Sequence, residues 1–346
     1  MARVVVAGSG SVGACIAYHL ALFGARDVVL AERAEIASGS TGKAMGGVRQ
    51  QFSTAAEVRL AQESIAFFEE LGAAWFQQVG YLFVATTEAG LAELEGRREL
   101  QAALGVPVEQ VDPRFVPGLN GEDVLGAVFC ATDGVADPPA LTREVVRRAA
   151  ELGVDVQEQT DARELDRDVL VIAAGAYSGD FGVDLPIRPI ARQLLETDPI
   201  EGLPDDLPMV VEAESGFHFR RRDDCLRIAM ADAVPRWGFE ETVDDSVFAD
   251  RLERLAHRYP PAAGTRIVRA WAGLYDMTPD AHPIIGTIGD GLYAACGFSG
   301  HGFMQSPAVG RAVAEELLCG ESSLDLTPYR LERFSREAVF PEDLVL

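Results

Sequence analysis

The sequence predicts an α/β fold with an α+β insert: a parallel-sheet domain, discontinuous in sequence, into which an antiparallel-sheet domain is inserted. Three observations lead there. Residues 3–31 read as strand, glycine turn, helix and second strand. Apolar strands followed by small or glycine-rich loops return at 168–175 and 292–303. The stretches between them, about 80–130 and 180–265, are rich in strand signals. The boundaries expected from this pattern are 1–79, 131–178 and 266–346 for the first domain, and 80–130 with 179–265 for the second.

Each element has its own signal. RVVVA at 3–7 is a continuous β-branched run, as expected of a strand buried on both faces. Residues 11–23 read as a helix stopped by Gly24, and 27–31 as the second strand. A Gly- and Ser-rich segment fills 36–53, and an apolar face (Val58, Leu60, Ile65, Phe68, Leu71) predicts a helix over 54–71. A strand at 80–85, a helix at about 88–104 and Pro-rich turns at 107–121 follow. Pro138-Pro139 opens a helix over 139–152 that ends at Gly153. Strands are expected at 154–158 and 168–175, a helix at 244–258, a strand at Leu292–Cys296 and a helix at about 305–318.

The composition sets limits. The 346 residues are 48% hydrophobic, enough for more than one domain, and the formal net charge is −24. Such a surface repels phosphate backbones and anionic lipid, which excludes nucleic acid and membrane surfaces as expected partners. Cys15, Cys130, Cys225, Cys296 and Cys319 are scattered and form no CxxC pair. The pattern fits a reducing compartment and offers no disulfide framework. Neither these nor the five histidines show metal-ligand spacing, so no metal is expected. The apolar start of the chain is broken by Gly8, Gly10 and Gly13, so it reads as strand, turn and helix rather than a signal peptide. No run is long enough for a transmembrane helix, and a cytoplasmic location is expected. Lys and Arg total 30, of which Lys43 is the one lysine.

Three motifs carry chemistry. Gly8-Ser9-Gly10-Ser11-Val12-Gly13 sits between a strand and a helix. Its first glycine permits the turn, its second lets main-chain N–H groups approach a pyrophosphate, and its third allows close packing of helix on strand. The helix N-terminus adds a favourable dipole. Glu32 ends the next strand at the spacing that accepts ribose hydroxyls and repels a 2′-phosphate. Together these predict a Rossmann-type dinucleotide site. The second motif is the apolar strand 168–175 with its small-residue end, read either as a cofactor strand or as an ordinary buried strand. The third is Gly297-Phe298-Ser299-Gly300-His301-Gly302-Phe303, a glycine loop between strand and helix.

The run Trp271–Asp280, then His282–Gly286, then Gly297–Phe303, together with Gly39–Phe52, resembles the D-amino-acid oxidase/sarcosine oxidase family. Within it, the chain is similar to β subunits of sarcosine oxidases and of dye-linked amino-acid or proline dehydrogenases. The resemblance spans the chain and implies FAD, held non-covalently. It also implies a small amine or amino-acid substrate and oxidation of its CH–N bond by hydride transfer to flavin N5, giving an imine. A partner subunit or separate electron acceptor is a further implication. Carried over residue by residue, Gly8, Gly10, Ser11, Val12, Gly13, Glu32 and Arg33 hold the ADP part. Ser40, Thr41, Lys43, Ala44, Met45, Gly46 and Gly47 line the pyrophosphate and flavin ring. Val156 meets the adenine, and Ala173, Ala174, Gly175 and Tyr177 lie along the internal strand. Gly273, Leu274, Gly300, His301, Gly302, Phe303 and Met304 wrap the pyrimidine end, whose helix N-terminus favours a reduced, anionic flavin. Arg49 matches an arginine that binds a substrate carboxylate, and Tyr275 an aromatic residue that contacts substrate. Met304 and His301 stand at the same place, His301 read mainly as shaping its loop and His282 as structural.

Departures from the family pattern are informative. The cysteine that attaches FAD in monomeric sarcosine oxidases corresponds to Gly273, so that linkage cannot form. A lysine after the glycine loop is replaced by Met304, and the lysine that assists oxygen falls near Arg227. Glycine oxidases have an arginine at Tyr275. The family's β-meander is shortened to Thr160–Asp168. Loss of the lysines predicts slow reaction with oxygen. Three rival readings remain: a flavin monooxygenase, a subunit that is active only with a partner, and a plain NAD dehydrogenase.

Overall fold

A computed structural model describes residues 2–335 together with Pro341, Glu342 and Leu346. A six-stranded sheet has the order Ile284–Gly289, Leu292–Cys296, Val169–Ile172, Val4–Ala7, Val28–Ala31, Asp155–Gln157. All its neighbours are parallel except the first pair. Val4 and Val6 face one side of the sheet, and Val5 and Ala7 the other. This two-sided burial is what the unbroken valine run predicted.

Helices Ser11–Leu22, Ala55–Leu71, Pro138–Glu151 and Gly302–Cys319 pack on the Val4/Val6 side in one core. The first of these is buried along most of its length. Its neighbour Gly302–Cys319 comes so near at Gly310 that a Cβ there would lie 2.5 Å from the Cys15 main chain.

The second sheet has nine strands and is antiparallel but for one pairing, Tyr81–Ala85 beside Met209–Glu212. Its two longest strands, Arg188–Thr197 and Ile267–Met277, pair along nearly their whole length. The large sheet thus takes one strand from beyond residue 266. Alternation again sorts the faces. Leu82, Val84, Val210, Phe217 and Phe219 join the outer core near the helix Phe248–Arg258. Tyr81, Phe83, Met209 and Val211 join the core on the Val4/Val6 side of the six-stranded sheet. His218 and Arg220 alternate with Phe217 and Phe219 and so share that inner face. A three-stranded sheet of Gly47–Val48, Gly134–Ala136 and Phe76–Gln77 fixes the segment that leads into Arg49.

Two differences from the expected elements have physical causes. The last long helix begins at Gly302 rather than near 305 and runs through Pro307. Proline supplies no N–H to the carbonyl four residues back. That carbonyl, Phe303 O, instead accepts the Ser306 hydroxyl at 2.8 Å. The helix expected from 244 starts at Phe248, after a 3-10 turn in which Asp244 caps Ser246 N–H at 3.0 Å. No helix among the described residues is long and apolar enough to cross a membrane.

Candidate active site

One continuous cleft runs from the carboxyl ends of the parallel strands to the inner face of the large sheet. At one end it is lined by Gly8, Gly10, Ser11, Val12, Glu32, Arg33, Ser40 and Thr41. The turn is forced by its glycines. Gly8 has φ of +103°, and a Cβ on Gly13 would lie 1.8 Å from Gly8 O. The helix that follows has no side-chain cap at Gly10, and Ser11 N–H donates to Thr41 Oγ1 at 3.1 Å. Glu32 is held by Ser9 N–H and Ala34 N–H, both at 2.9 Å, and by the Ser9 hydroxyl at 3.1 Å. Its carboxylate therefore stands fixed at the strand end.

Gly13 does not line the cleft; it serves the close packing. Val156 does not line it either. It sits in register with Leu30 inside the edge strand, whose continuation, Thr160–Arg163, lines the cleft instead. Tyr177 lines this end between Arg33, 4.0 Å above its ring, and Phe239, stacked at 5.1 Å.

The middle is formed by Lys43, Ala44, Met45, Gly46, Gly47, Ala173, Ala174, Gly175, Gly273 and Leu274. The strand Ile267–Met277 ties its walls together. Ser40 Oγ donates to Leu274 O at 2.7 Å, and Trp271 Nε1 to Lys43 O at 3.0 Å. Lys43 lies against Gly273 and pairs with Glu241. Asp276 Oδ2 accepts Gly297 N–H at 2.7 Å, anchoring the third glycine motif. Burial pushes this carboxyl up to about 6, with the loop's main-chain N–H groups pulling the other way. Arg227 points elsewhere: it is not in the cleft lining and pairs with Glu196 at 2.9 Å.

At the far end the cleft meets Gly300, His301, Gly302, Phe303 and Met304 on one side and Arg49, Tyr81, Arg192, Met209, His218 and Tyr275 on the other. Gly300 is a close approach: a Cβ there would lie 2.3 Å from the Tyr275 ring. The helix beginning at Gly302 also lacks a side-chain cap. Two helix N-termini therefore open onto one cleft, where their dipoles favour electron-rich oxygens.

Arg49 is 1% exposed. It donates to Gln51 O, lies 3.3 Å from His301 Nε2 and stacks 4.0 Å over Phe52. His301 itself meets Phe52 edge-on at 5.1 Å. Burial lowers the guanidinium's pKa, and Tyr81, Glu342 and Asp133 act in the opposite sense. Asp133 braces this segment by accepting Gln50 N–H at 2.9 Å and Gln51 Nε2 at 3.0 Å. The Tyr275 hydroxyl donates to Leu346 O at 2.9 Å, and Leu346 also lines the cleft. His282 lies outside the lining, fully buried, with Nδ1 2.7 Å from Glu57 Oε1.

The residues fit an FAD. A turn that only glycines can make, an anchored acid at the ribose spacing and two uncapped helix ends occupy one elongated cleft. A profile described as FAD dependent oxidoreductase (DAO) matches residues 3–316. The chain belongs to this family. It is a family of FAD-dependent oxidoreductases, and the relatives of this chain include oxidases and dehydrogenases of amino acids and N-methyl amino acids.

The DAO chain is 27% identical over 381 residues to mitochondrial sarcosine dehydrogenase of Mus musculus, covering 96% of this chain and 41% of that protein. It thus spans about two fifths of that relative's length. It is 26% identical to glycine oxidase of Geobacillus kaustophilus over 95% of this chain and 96% of that one. The L-proline dehydrogenase structure from P. horikoshii superposes with a TM-score of 0.90 at 29% identity, covering 98% and 99% of the two chains.

Sequence reasoning did not find Tyr81, Arg192, Met209 or His218. Their strands are separate in sequence, and period-2 alternation within 209–220 was the available signal.

Proposed function

We propose that this DAO chain oxidises the CH–N bond of a small amino acid or N-methyl amino acid that carries a free carboxylate. The observation that carries this is Arg49, a guanidinium buried at the end of the cofactor cleft beside His301, Tyr275 and His218. A buried arginine at the closed end of a cleft is suited to a carboxylate. Bound FAD supplies the two-electron oxidation to the imine level. The chain's residues do the rest. Arg49 holds the carboxylate, Tyr275 and Met304 shape the space beside it, and the Gly300–Gly302 turn brings main chain to the pyrimidine edge. Glu32 and the Gly8–Gly13 turn hold the ADP half, with Thr160–Arg163 and Tyr177 at the adenine end. In this reading, segments 1–79, 131–178 and 266–346 make the cofactor domain, and 80–130 with 179–265 the substrate domain. The strand Ile267–Met277 joins the two. The five cysteines are unpaired, in keeping with a reducing compartment such as the cytoplasm.

We further propose that the reduced enzyme passes its electrons to an acceptor other than oxygen, either a partner subunit or a small carrier. Met304 stands where the family has a lysine, Arg227 is committed to Glu196, and Lys43 to Glu241. Among the described residues no lysine is left uncommitted beside the cleft.

One experiment tests both proposals. The FAD-loaded protein is mixed anaerobically with sarcosine, glycine, L-proline and a D-amino acid, and then air is admitted. Bleaching of the flavin by one of these supports amine oxidation, and slow recovery of colour in air supports a dehydrogenase. Bleaching by NADH and by no amine would overturn the first proposal in favour of a monooxygenase. Fast stoichiometric H2O2 release would overturn the second.

A further inference from the structure

We infer that His218 accepts a hydrogen bond from the substrate's amine N–H, and so selects amines that carry an N–H, primary or secondary, over tertiary ones. The inference rests on the amine-oxidation reading above and deepens it.

Strand geometry sets the position. In His218–Arg222, alternation sends Phe219 into the outer core and turns His218 toward the cleft, which it lines. The neighbouring strand Met209–Glu212 puts Val211 in register with His218, and Met209 lines the same end of the cleft. The ring is 4% exposed and is held at one edge only. Its Nδ1 lies 2.8 Å from Gly216 O. A carbonyl only accepts, so Nδ1 carries the proton and the tautomer is assigned by that bond. The other nitrogen, Nε2, is then a lone-pair acceptor. Among the described residues no protein group hydrogen-bonds it.

The surroundings keep that acceptor available. Burial, with the Arg49 charge nearby, pushes the imidazole down to about 4, so it stays neutral at working pH. Arg49 and Arg192 at this end are donors, and the Tyr275 hydroxyl is spent on Leu346 O. A carboxylate held by Arg49 leaves the α-amine to find an acceptor among these groups, and the imidazole offers one. A neutral amine that donates one N–H there keeps its lone pair free, which is the electronic state that CH–N oxidation requires. Burial beside the Arg49 guanidinium and a neutral ring favours the neutral amine over the ammonium. A neutral tertiary amine has no N–H to give and leaves the buried acceptor unpaired.

The test uses the FAD-loaded full chain and anaerobic stopped-flow reduction. Substrates are the primary, N-methyl and N,N-dimethyl forms of whichever amino acid bleaches the flavin fastest. The pH is set above the pKa of the amines, where all three are neutral. The expected result is a preference of about tenfold or more, in substrate affinity, for the N–H-bearing forms over the tertiary one. His218→Phe should lower affinity for the N–H-bearing forms and spare the tertiary one, so that the ratio collapses. His218→Gln, which restores an acceptor at the same reach, should recover much of the preference. An unchanged ratio in His218→Phe, or an equal loss for all three forms, would overturn the inference. Equal loss with full recovery in His218→Gln would point to packing rather than selection, and also counts against it. If no amine bleaches the unaltered protein, the amine-oxidation reading fails first and this inference falls with it.

Discussion

At the Gly8–Gly13 end of the cleft the wall is main chain; at the Arg49–Tyr275 end it is side chain. The first end is built by leaving atoms out. Gly8 takes a left-handed conformation, Gly13 leaves room for a carbonyl, and Glu32 is pinned by the amides of Ser9 and Ala34. The second end is built by putting atoms in. Buried Arg49, His218 and Tyr81 and half-buried Tyr275 arrive there from four separate strands or loops. The nucleotide end should therefore fail when a methyl group is added, and the substrate end when a functional group is removed.

The largest effect expected from this contrast is that of Gly13→Ala. Its Cβ would meet Gly8 O, and relieving that clash must move the turn that faces the pyrophosphate. FAD occupancy, read as the ratio of flavin to protein absorbance, should be lost almost entirely. Normal occupancy would show that the turn is not the cofactor's seat. Arg49→Gln comes next. It should leave FAD occupancy intact and weaken a carboxylate substrate by roughly 100-fold, the worth of a charge-assisted hydrogen-bond pair, about 2–3 kcal/mol. Arg49→Lys should not restore it, because a point charge does not replace a planar fork. Flavin titration gives both numbers.

A third prediction concerns the brace behind Arg49. Burial raises the Asp133 carboxyl from 3.8 to about 6. Between those values the folded protein holds a proton that the unfolded chain has released. As pH rises through that window, this group makes folding less favourable, and above about 6 its effect is constant. Asp133→Asn removes that dependence while also losing an acceptor for Gln50 and Gln51. The variant should be the less stable protein at pH 4.5, and the gap should narrow by about 1–3 kcal/mol at pH 7 in denaturant melts. His19 and His218, both pushed down to about 4, act in the opposite sense but cancel between variant and parent. A gap that is flat with pH would show that burial does not raise the Asp133 carboxyl. The smallest effect is Glu32→Gln. The amide oxygen still accepts from main-chain N–H, so FAD affinity should drop only about fivefold to tenfold, roughly 1 kcal/mol, in a reconstitution titration.

The same contrast explains what could be read in advance. The strand–turn–helix–strand at 3–31 is local, so its elements, its glycine turn and the place of Glu32 at the strand end follow from spacing alone. The strand Leu292–Cys296 and the loop after it were legible for the same reason. That the cleft wall beyond Val156 is made by Thr160–Arg163 was not legible, because the point at which an edge strand reaches a cleft depends on register with Leu30, which no spacing states. The start of the last helix was hidden by Gly302 and Pro307, whose cost is met by one serine hydroxyl. His218, Tyr81 and Met209 were invisible as a group. They meet through strand pairing across more than a hundred residues, and each alone looks like core.

Lys43 is the one lysine of the sequence, and it lies in the wall of the cleft with its carbonyl bound to Trp271 and its ammonium to Glu241. A lysine-specific endoprotease therefore has a single peptide bond to cut, Lys43–Ala44. That bond becomes accessible only when the turn at 40–43 leaves the strand Ile267–Met277. Nicking at this one place is a built-in reporter of cleft opening, and its rate should fall as FAD occupies the cleft.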